Sequence, residues 1–278
     1  MAISCIRRTV AALGAAALAA LGGLAAPAAH AQERNMVIFG DSVIADPNAP
    51  QWLAGKLGLD SRGSSDVNVW CPQNPSSWGR LAAQKLGLAA YDYSCSGTTT
   101  ISPGPQLFSQ VDRALRDGGL NRNTARVIIS TGFNDTYNND SRPDGAVRAD
   151  FVNYMRPQIA KIRAAAPNAR IQFVGYPKVT AGDRVCLFHI APNVADSTPF
   201  PQVRKWEDQA QWMMVDAARA TGTEFVDLKP STWNSHMCAP DHLRMWAGFV
   251  DFYGGPGNLP IHVNARGHQH VANVIAGS

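Results

Sequence analysis

Met36-Val37-Ile38-Phe39-Gly40-Asp41-Ser42 (MVIFGDS) is the stretch on which the fold turns. Its four consecutive apolar residues show no polar alternation, and Gly40 closes the run, as in a short strand buried on both faces. Such strands belong to parallel sheets with helices on either side. The rest of the chain repeats the pattern. Residues 89–94, 126–130, 171–175 and 223–228 read as further strands. Between them lie helical periodicities at 106–116, 146–165 and 204–220, and a last one closes the chain from Asn264 to Ala276. Ser76-Ser77-Trp78 opens another, with Trp78, Leu81, Ala82 and Leu86 on one side, a serine as N-cap and Gly87 as the stop. Pro157 is expected to kink the helix carrying Phe151, Tyr154, Met155, Ile159 and Ile162. Five strands alternating with helices predict one α/β domain, a parallel sheet covered on both faces.

Two segments break the alternation, 45–75 and 178–202, and 233–259 is a candidate third. Loops of this length are uncommon unless functional, so each reads as a rim of a ligand site, the third contributing Trp246, Phe249, Phe252 and Tyr253. Ordinary surface loops tied down by disulfides are the competing reading.

The first 31 residues read as a signal peptide. Arg7 and Arg8 form a positive start, Val10 to Leu24 is nearly all Ala, Leu and Gly, and Ala29-His30-Ala31 is a small-x-small cleavage site. The apolar run of about 15 residues is short of the ~20 a membrane span needs. A secreted domain of residues 32–278, without stable membrane insertion, is the expectation. The 25 Lys and Arg stand against 21 Asp and Glu, and removing a leader that holds Arg7, Arg8 and no acid lowers the net charge from +4 to +2. That mild charge argues against nucleic acid as a partner.

Cys71, Cys95, Cys186 and Cys238 remain after the leader's Cys5 is removed. An even count in an exported chain reads as two disulfides, and sequence alone allows three pairings. Pairing sequence neighbours would be worth ~3.5 and ~4 kcal/mol on the chain-entropy model. A rival reading takes Cys186-x-x-His189 with His236-x-Cys238 as a zinc site, although that spacing is unusual and oxidation competes outside the cell.

The chemistry-bearing residues fall at strand ends, where open α/β sheets bind ligands. Ser42 follows the first strand directly. Cys95-Ser96-Gly97 ends the second, where a glycine N–H can approach a ligand unobstructed. Gly132-Phe133-Asn134-Asp135 ends the third, and His262 arrives late, opening the run HVNARGH. A hydroxyl, a base and donors for an oxyanion are the set that acyl transfer requires.

The order GDS, a glycine, GxND, then a late His with N-x-x-GH resembles the SGNH hydrolases, also called the GDSL family, over residues 38 to about 276. The segment WCPQNPSSWGRLAAQKLG (70–87) with YSCSGTTT (93–100) resembles secreted actinobacterial esterases of that family. The resemblance implies a three-layer α/β/α sandwich with sheet order 2-1-3-4-5 and no cofactor. It also implies Ser42 as nucleophile and His262 as general base. The oxyanion hole would be the N–H groups of Ser42 and Gly97 with the side-chain amide of Asn134. Asp41 and Asp135 are expected to shape turns rather than to react.

One position departs from the family pattern. An Asp is usual three residues before the histidine, and here Leu259 stands there, in Asn258-Leu259-Pro260-Ile261-His262. The imidazole must still be held, because losing its orienting partner can cost ~10⁴ in rate. A backbone carbonyl of the 258–260 stretch (Leu259 or Pro260, for example) is the favoured substitute, with Asp251 or Asp241 as the other option. His268 and His270 read as capping or packing residues, and His189, His236 and His242 as exposed residues of the rims. Trp78, Trp206 and Trp212 read as packing.

These residues point first to a carboxylic-ester hydrolase, expected as a monomer, acting on a lipid or other small ester. A carbohydrate O-acetylesterase on the same fold is the alternative, favoured by a shallow groove of Trp and Tyr. A binding module that has lost its chemistry is a third reading. A metal-dependent hydrolase is weaker, since no carboxylate–histidine cluster sits at a strand end.

Overall fold

The computed structural model describes residues 33–57, 71–253, 255 and 257–278, so the predicted leader and part of the first rim lie outside the described residues. In chain order the strands are β1 (Asn35–Gly40), β2 (Ala89–Asp92), β3 (Thr124–Ser130), β4 (Arg170–Val174), β5 (Arg184–Val185), β6 (Phe188–Ala191), β7 (Val194–Ala195), β8 (Thr198–Pro199), β9 (Glu224–Val226) and β10 (Val250–Asp251). The helices are α1 (Ser42–Ala45), α2 (Ala49–Lys56), α3 (Trp78–Lys85), α4 (Leu107–Arg116), α5 (Phe133–Asn138), α6 (Asp144–Ala165), α7 (Pro201–Thr221), α8 (Lys229–Thr232) and α9 (Ala265–Gly277).

The main sheet is five-stranded in the order β2-β1-β3-β4-β9, and every pairing in it is parallel. Counting only its own strands, this is the expected 2-1-3-4-5. The continuous apolar run of β1 has a direct cause. Val37 and Phe39 face one layer, with Val111 of α4, Phe151 of α6 and Met213 of α7, while Met36 and Ile38 face the other, with Trp78 of α3 and Val271 of α9. Alternate side chains of a strand point to opposite faces, so a strand with helices on both sides is apolar at every position.

Gly40 is required where β1 ends. Its φ is 155°, and a Cβ there would lie 2.2 Å from the Ser130 carbonyl oxygen. The side chain of Gln110 on α4 closes this end, accepting from Gly40 N–H at 2.9 Å and donating to Gly40 O at 2.8 Å. A buried amide satisfying both backbone groups lets the strand stop without stranding polar atoms.

Several local expectations need correction. The 45–75 segment is not wholly loop, since α2 occupies its start. The second rim folds into β5–β8 and β6–β7 antiparallel pairs, and β10 adds to β6 in parallel. Ser77 is at the N-cap of α3 but its side chain makes no capping bond; instead Trp78 N–H donates to His268 Nδ1 at 3.0 Å. His268 thus caps, but on another helix than its own.

Candidate active site

Asp41 shapes the turn from which Ser42 emerges. As N-cap of α1 it accepts from Val43 N–H at 2.9 Å, and its second oxygen accepts from the Tyr176 hydroxyl at 2.5 Å. Tyr176 in turn accepts from Phe133 N–H at 3.2 Å, which links the ends of β1, β3 and β4. Burial pushes the Asp41 carboxyl up to about 7 against these hydrogen bonds, and burial beside Asp41 holds the Tyr176 hydroxyl well above its ordinary range. Nothing in the sequence signalled Tyr176.

Ser42 is the first residue of α1, so its N–H has no acceptor within the helix, and it has no partner among the described residues. Its Oγ lies 2.8 Å from His262 Nε2. The other ring nitrogen, Nδ1, lies 2.8 Å from the carbonyl oxygen of Pro260. A carbonyl can only accept, so this contact requires the proton on Nδ1 and leaves the Nε2 lone pair facing Ser42. Burial lowers the His262 pKa, opposed by the Pro260 bond, so the ring is neutral at neutral pH. The Pro260 carbonyl reaches back because Ile261 adopts φ 56°, a left-handed conformation unusual for a β-branched residue.

The two aspartates weighed as orienters are committed elsewhere. Asp251 holds Arg244 at 2.5 and 3.1 Å and accepts from Gly248 N–H at 2.9 Å. Asp241 accepts from Asn193 N–H at 2.7 Å. Of the candidate carbonyls, it is Pro260 and not Leu259 that meets the ring; Leu259 contributes a buried apolar side chain.

Asn134, on α5 after β3, donates through Nδ2 to Thr98 O at 2.8 Å and accepts from the Tyr137 hydroxyl at 2.8 Å. These partners fix which end of the amide is NH₂, and leave it one further hydrogen to give. Gly97 has φ 80°, and its N–H has no partner among the described residues. Asp135 accepts from the N–H groups of Thr100, Ile101 and Ser102 at 2.8, 3.0 and 2.9 Å, which fixes the loop after Gly97 against α5.

Ser42, Asn134 and His262 line one cavity of about 360 Å³; Gly97 stands outside its lining. The cavity's walls are almost wholly apolar. Val179, Val185 and Leu187 come from the second rim, Phe200 and Val203 from the start of α7 and its approach, and Met237 and Trp246 from the third rim. The first rim contributes nothing to it among the described residues. Trp206 also lines the cavity, anchored by its indole N–H on Asp140 at 2.9 Å, a role beyond the packing expected of it. Trp78 is buried, whereas Trp212 is exposed beneath Arg148.

Cys71 bonds to Cys95 and Cys186 to Cys238. With Cys186 and Cys238 joined, no thiolate is left for the rival zinc reading. His189, expected at the surface, is buried with Nε2 3.2 Å from Cys186 O.

The sequence matches the model of the GDSL-like lipase/acylhydrolase family over residues 38–270. Lipase 2 of Streptomyces coelicolor is 23% identical over 291 residues, which covers 95% of this chain and 92% of that protein. Among solved structures, phospholipase A1 from Streptomyces albidoflavus aligns with a TM-score of 0.57 at 18% identity, over 88% of this chain and 99% of its own. An extracellular lipase from Streptomyces rimosus aligns at 0.55 and 19%, over 87% and 98%. The structural likenesses speak for the fold, and the family model for the kinship. The chain belongs to the GDSL-like lipase/acylhydrolase family.

Proposed function

We propose that this chain is an exported esterase that cleaves acyl esters through an acyl-enzyme on Ser42, with His262 as the base and the Pro260 carbonyl in place of a triad acid. The observation that carries this reading is the 2.8 Å approach of Ser42 Oγ to an imidazole whose tautomer the Pro260 carbonyl dictates, at the edge of an apolar cavity. Ser42 Oγ attacks the ester carbonyl carbon and its proton passes to Nε2. The oxyanion accepts from the N–H groups of Ser42 and Gly97 and from Asn134 Nδ2, and losing one such donor typically costs ~10²–10³ in kcat. His262 then protonates the departing alcohol. Water, giving its proton to the same nitrogen, attacks the acyl-enzyme, and the acid leaves as His262 returns that proton to Ser42 Oγ.

The cavity favours an acyl chain over a sugar. At ~30 Å³ per water-sized group, a volume of about 360 Å³ holds roughly a dozen methylene-sized units. Export is supported by the leader's composition at residues 1–31 and by the two disulfides.

The test is hydrolysis of nitrophenyl esters from acetate to palmitate by residues 32–278, with Ser42→Ala as blank. The expected result is Ser42-dependent turnover that rises from acetate to a medium-chain maximum. A maximum at acetate would move the reading to O-deacetylation of carbohydrate. Substantial turnover by Ser42→Ala would refute the nucleophile.

A further inference from the structure

We propose that Asp46 is a positioning residue for the Ser42–His262 pair: its buried carboxylate fastens the helix that begins at Ser42 to the loop that delivers Pro260 and His262. The inference rests on the reading of Ser42 and His262 given above.

Asp46 is 1% exposed and follows α1 immediately, its N–H donating to Ser42 O at 2.8 Å. One carboxylate oxygen accepts from Asn258 Nδ2 at 3.1 Å, Asn74 Nδ2 at 2.9 Å and His268 Nε2 at 2.9 Å. The Asn258 amide also reaches the Asp46 carbonyl at 3.2 Å, and Asn258 O accepts from Ala49 N–H at 3.2 Å. His268 accepts from Trp78 N–H on Nδ1, so the proton it directs at Asp46 is the one on Nε2. A single side chain therefore joins α1, the loop before His262, the helix after His262 and the segment leading into α3.

The loop has a reason to need fastening. Ile261, between Pro260 and His262, is held at φ 56°, and a residue in that region costs of order 1–3 kcal/mol and persists only where its surroundings over-determine it. On the His262 side, Ile261 N–H donates to Gly248 O at 3.0 Å and Ala247 N–H to His262 O at 2.7 Å. Pro260 has no N–H to give. On its other side the turn is held by Asn258, and Asn258 is held by Asp46 and Ala49. Of the titratable groups that act on His262, Asp46 favours the imidazolium, and His268 would oppose it only when itself protonated. Asp46 thus supplies from a distance some of the negative charge that a triad acid would bring.

The test compares Asn258→Ala and Asp46→Asn with the wild type on a nitrophenyl ester. Rates are expressed per site labelled by a serine-directed phosphonate, and melting temperatures are recorded alongside. Misplacing a reacting group by ~1 Å can cost ~10²-fold, so Asn258→Ala should lose about 10- to 100-fold in kcat with KM little changed. Asp46→Asn should lose kcat likewise and move the acid limb of kcat/KM to lower pH, because the imidazolium loses a favourable charge. Asn258 is exposed, so its truncation tests the link even where Asp46→Asn does not fold. Variants with unaltered kcat per labelled site and an unmoved acid limb would overturn the proposal, however far their melting temperatures fall. A wild type that neither takes up the phosphonate nor turns over would overturn the reading of the site and the clamp with it; an active wild type with unaltered variants overturns the clamp alone.

Discussion

Replacing Asp251 with Asn separates the two ways of holding His262. In a carboxylate triad the acid orients the ring, and its conversion to the amide costs ~10⁴ in rate. Here the Asp251 side chain is 4% exposed and its partner Arg244 is 0% exposed, with Arg244 also donating to the carbonyls of Trp246 at 2.6 Å and Tyr253 at 2.5 Å. Asp251→Asn leaves that buried guanidinium with Asp241, 3.7 Å away, as its remaining carboxylate, a change worth up to ~3–5 kcal/mol. For a domain of this size 1 kcal/mol shifts the melting temperature by ~2–4 °C, so a fall of up to about 6–20 °C is expected. His262 bonds the Pro260 carbonyl rather than Asp251, so kcat at a temperature well below the new midpoint should stay within about threefold of wild type. The assay pairs a circular dichroism melt with ester hydrolysis at 25 °C on the folded variant. A loss of ~10³ or more in kcat with native dichroism at 25 °C would mean that a carboxylate does hold the ring, and the carbonyl-held dyad would be wrong.

Two further outcomes follow from the pKa shifts. His262 must be neutral to take the proton from Ser42, and burial lowers its pKa from the ordinary 6.5, so kcat/KM should be level at neutral pH and fall tenfold per unit only below a midpoint that lies under 6.5; a midpoint above 6.5 would contradict it. Asp41 goes the other way. Its carboxyl is raised from 3.8 to about 7, so between those values the folded state binds the proton that the unfolded state has lost. The group's contribution is therefore greatest at low pH and declines as pH rises through about 7, by about 4 kcal/mol at ~1.4 kcal/mol per unit. Asp41→Asn does not titrate, so denaturant melts should show its stability relative to wild type improving from pH 4 to pH 8, and a pH-independent difference would refute the buried protonated carboxyl.

The parts of this architecture that the sequence made legible are those that a strand or its end dictates locally. The unbroken apolar run 36–39 announces a strand with helices on both faces, because each of its residues finds a core on its own side. Ser42, Asn134 and His262 could be named because each lies shortly after a strand or before the last helix and because together they carry the motif order that resembles the family. What stayed hidden depends on pairs far apart in the chain. The contacts of Asp46 with Asn258 and His268 span 212 and 222 residues, and no local pattern marks an aspartate as their common acceptor. The commitment of Asp251 to Arg244 is only seven residues long, but it needs the fold of the third rim, which sequence reading treated as loop. Which carbonyl meets His262 turns on one dihedral angle, at Ile261, and nothing in an Ile-His dipeptide foretells a left-handed isoleucine.

Leu259 in place of the family's usual acid has a consequence for where catalysis must come from. A carbonyl fixes the imidazole tautomer as well as a carboxylate does, since both only accept. It carries a partial charge rather than a full one, so it stabilises the imidazolium less as the proton arrives from Ser42. Burial of the ring works in the same direction, making His262 a weaker base than an exposed histidine. Both effects raise the barrier to the tetrahedral intermediate. On the proposed mechanism they leave proportionately more of the rate to the groups assigned to the oxyanion, the N–H groups of Ser42 and Gly97 and the amide of Asn134. In such a site, damage to Asn134 should cost at least as much as it does in a triad enzyme, toward the upper end of the ~10²–10³ range for one donor. The architecture around Asn134 is consistent with that weight: its amide is fixed by Thr98 and Tyr137, and the neighbouring Asp135 locks the loop that carries Gly97.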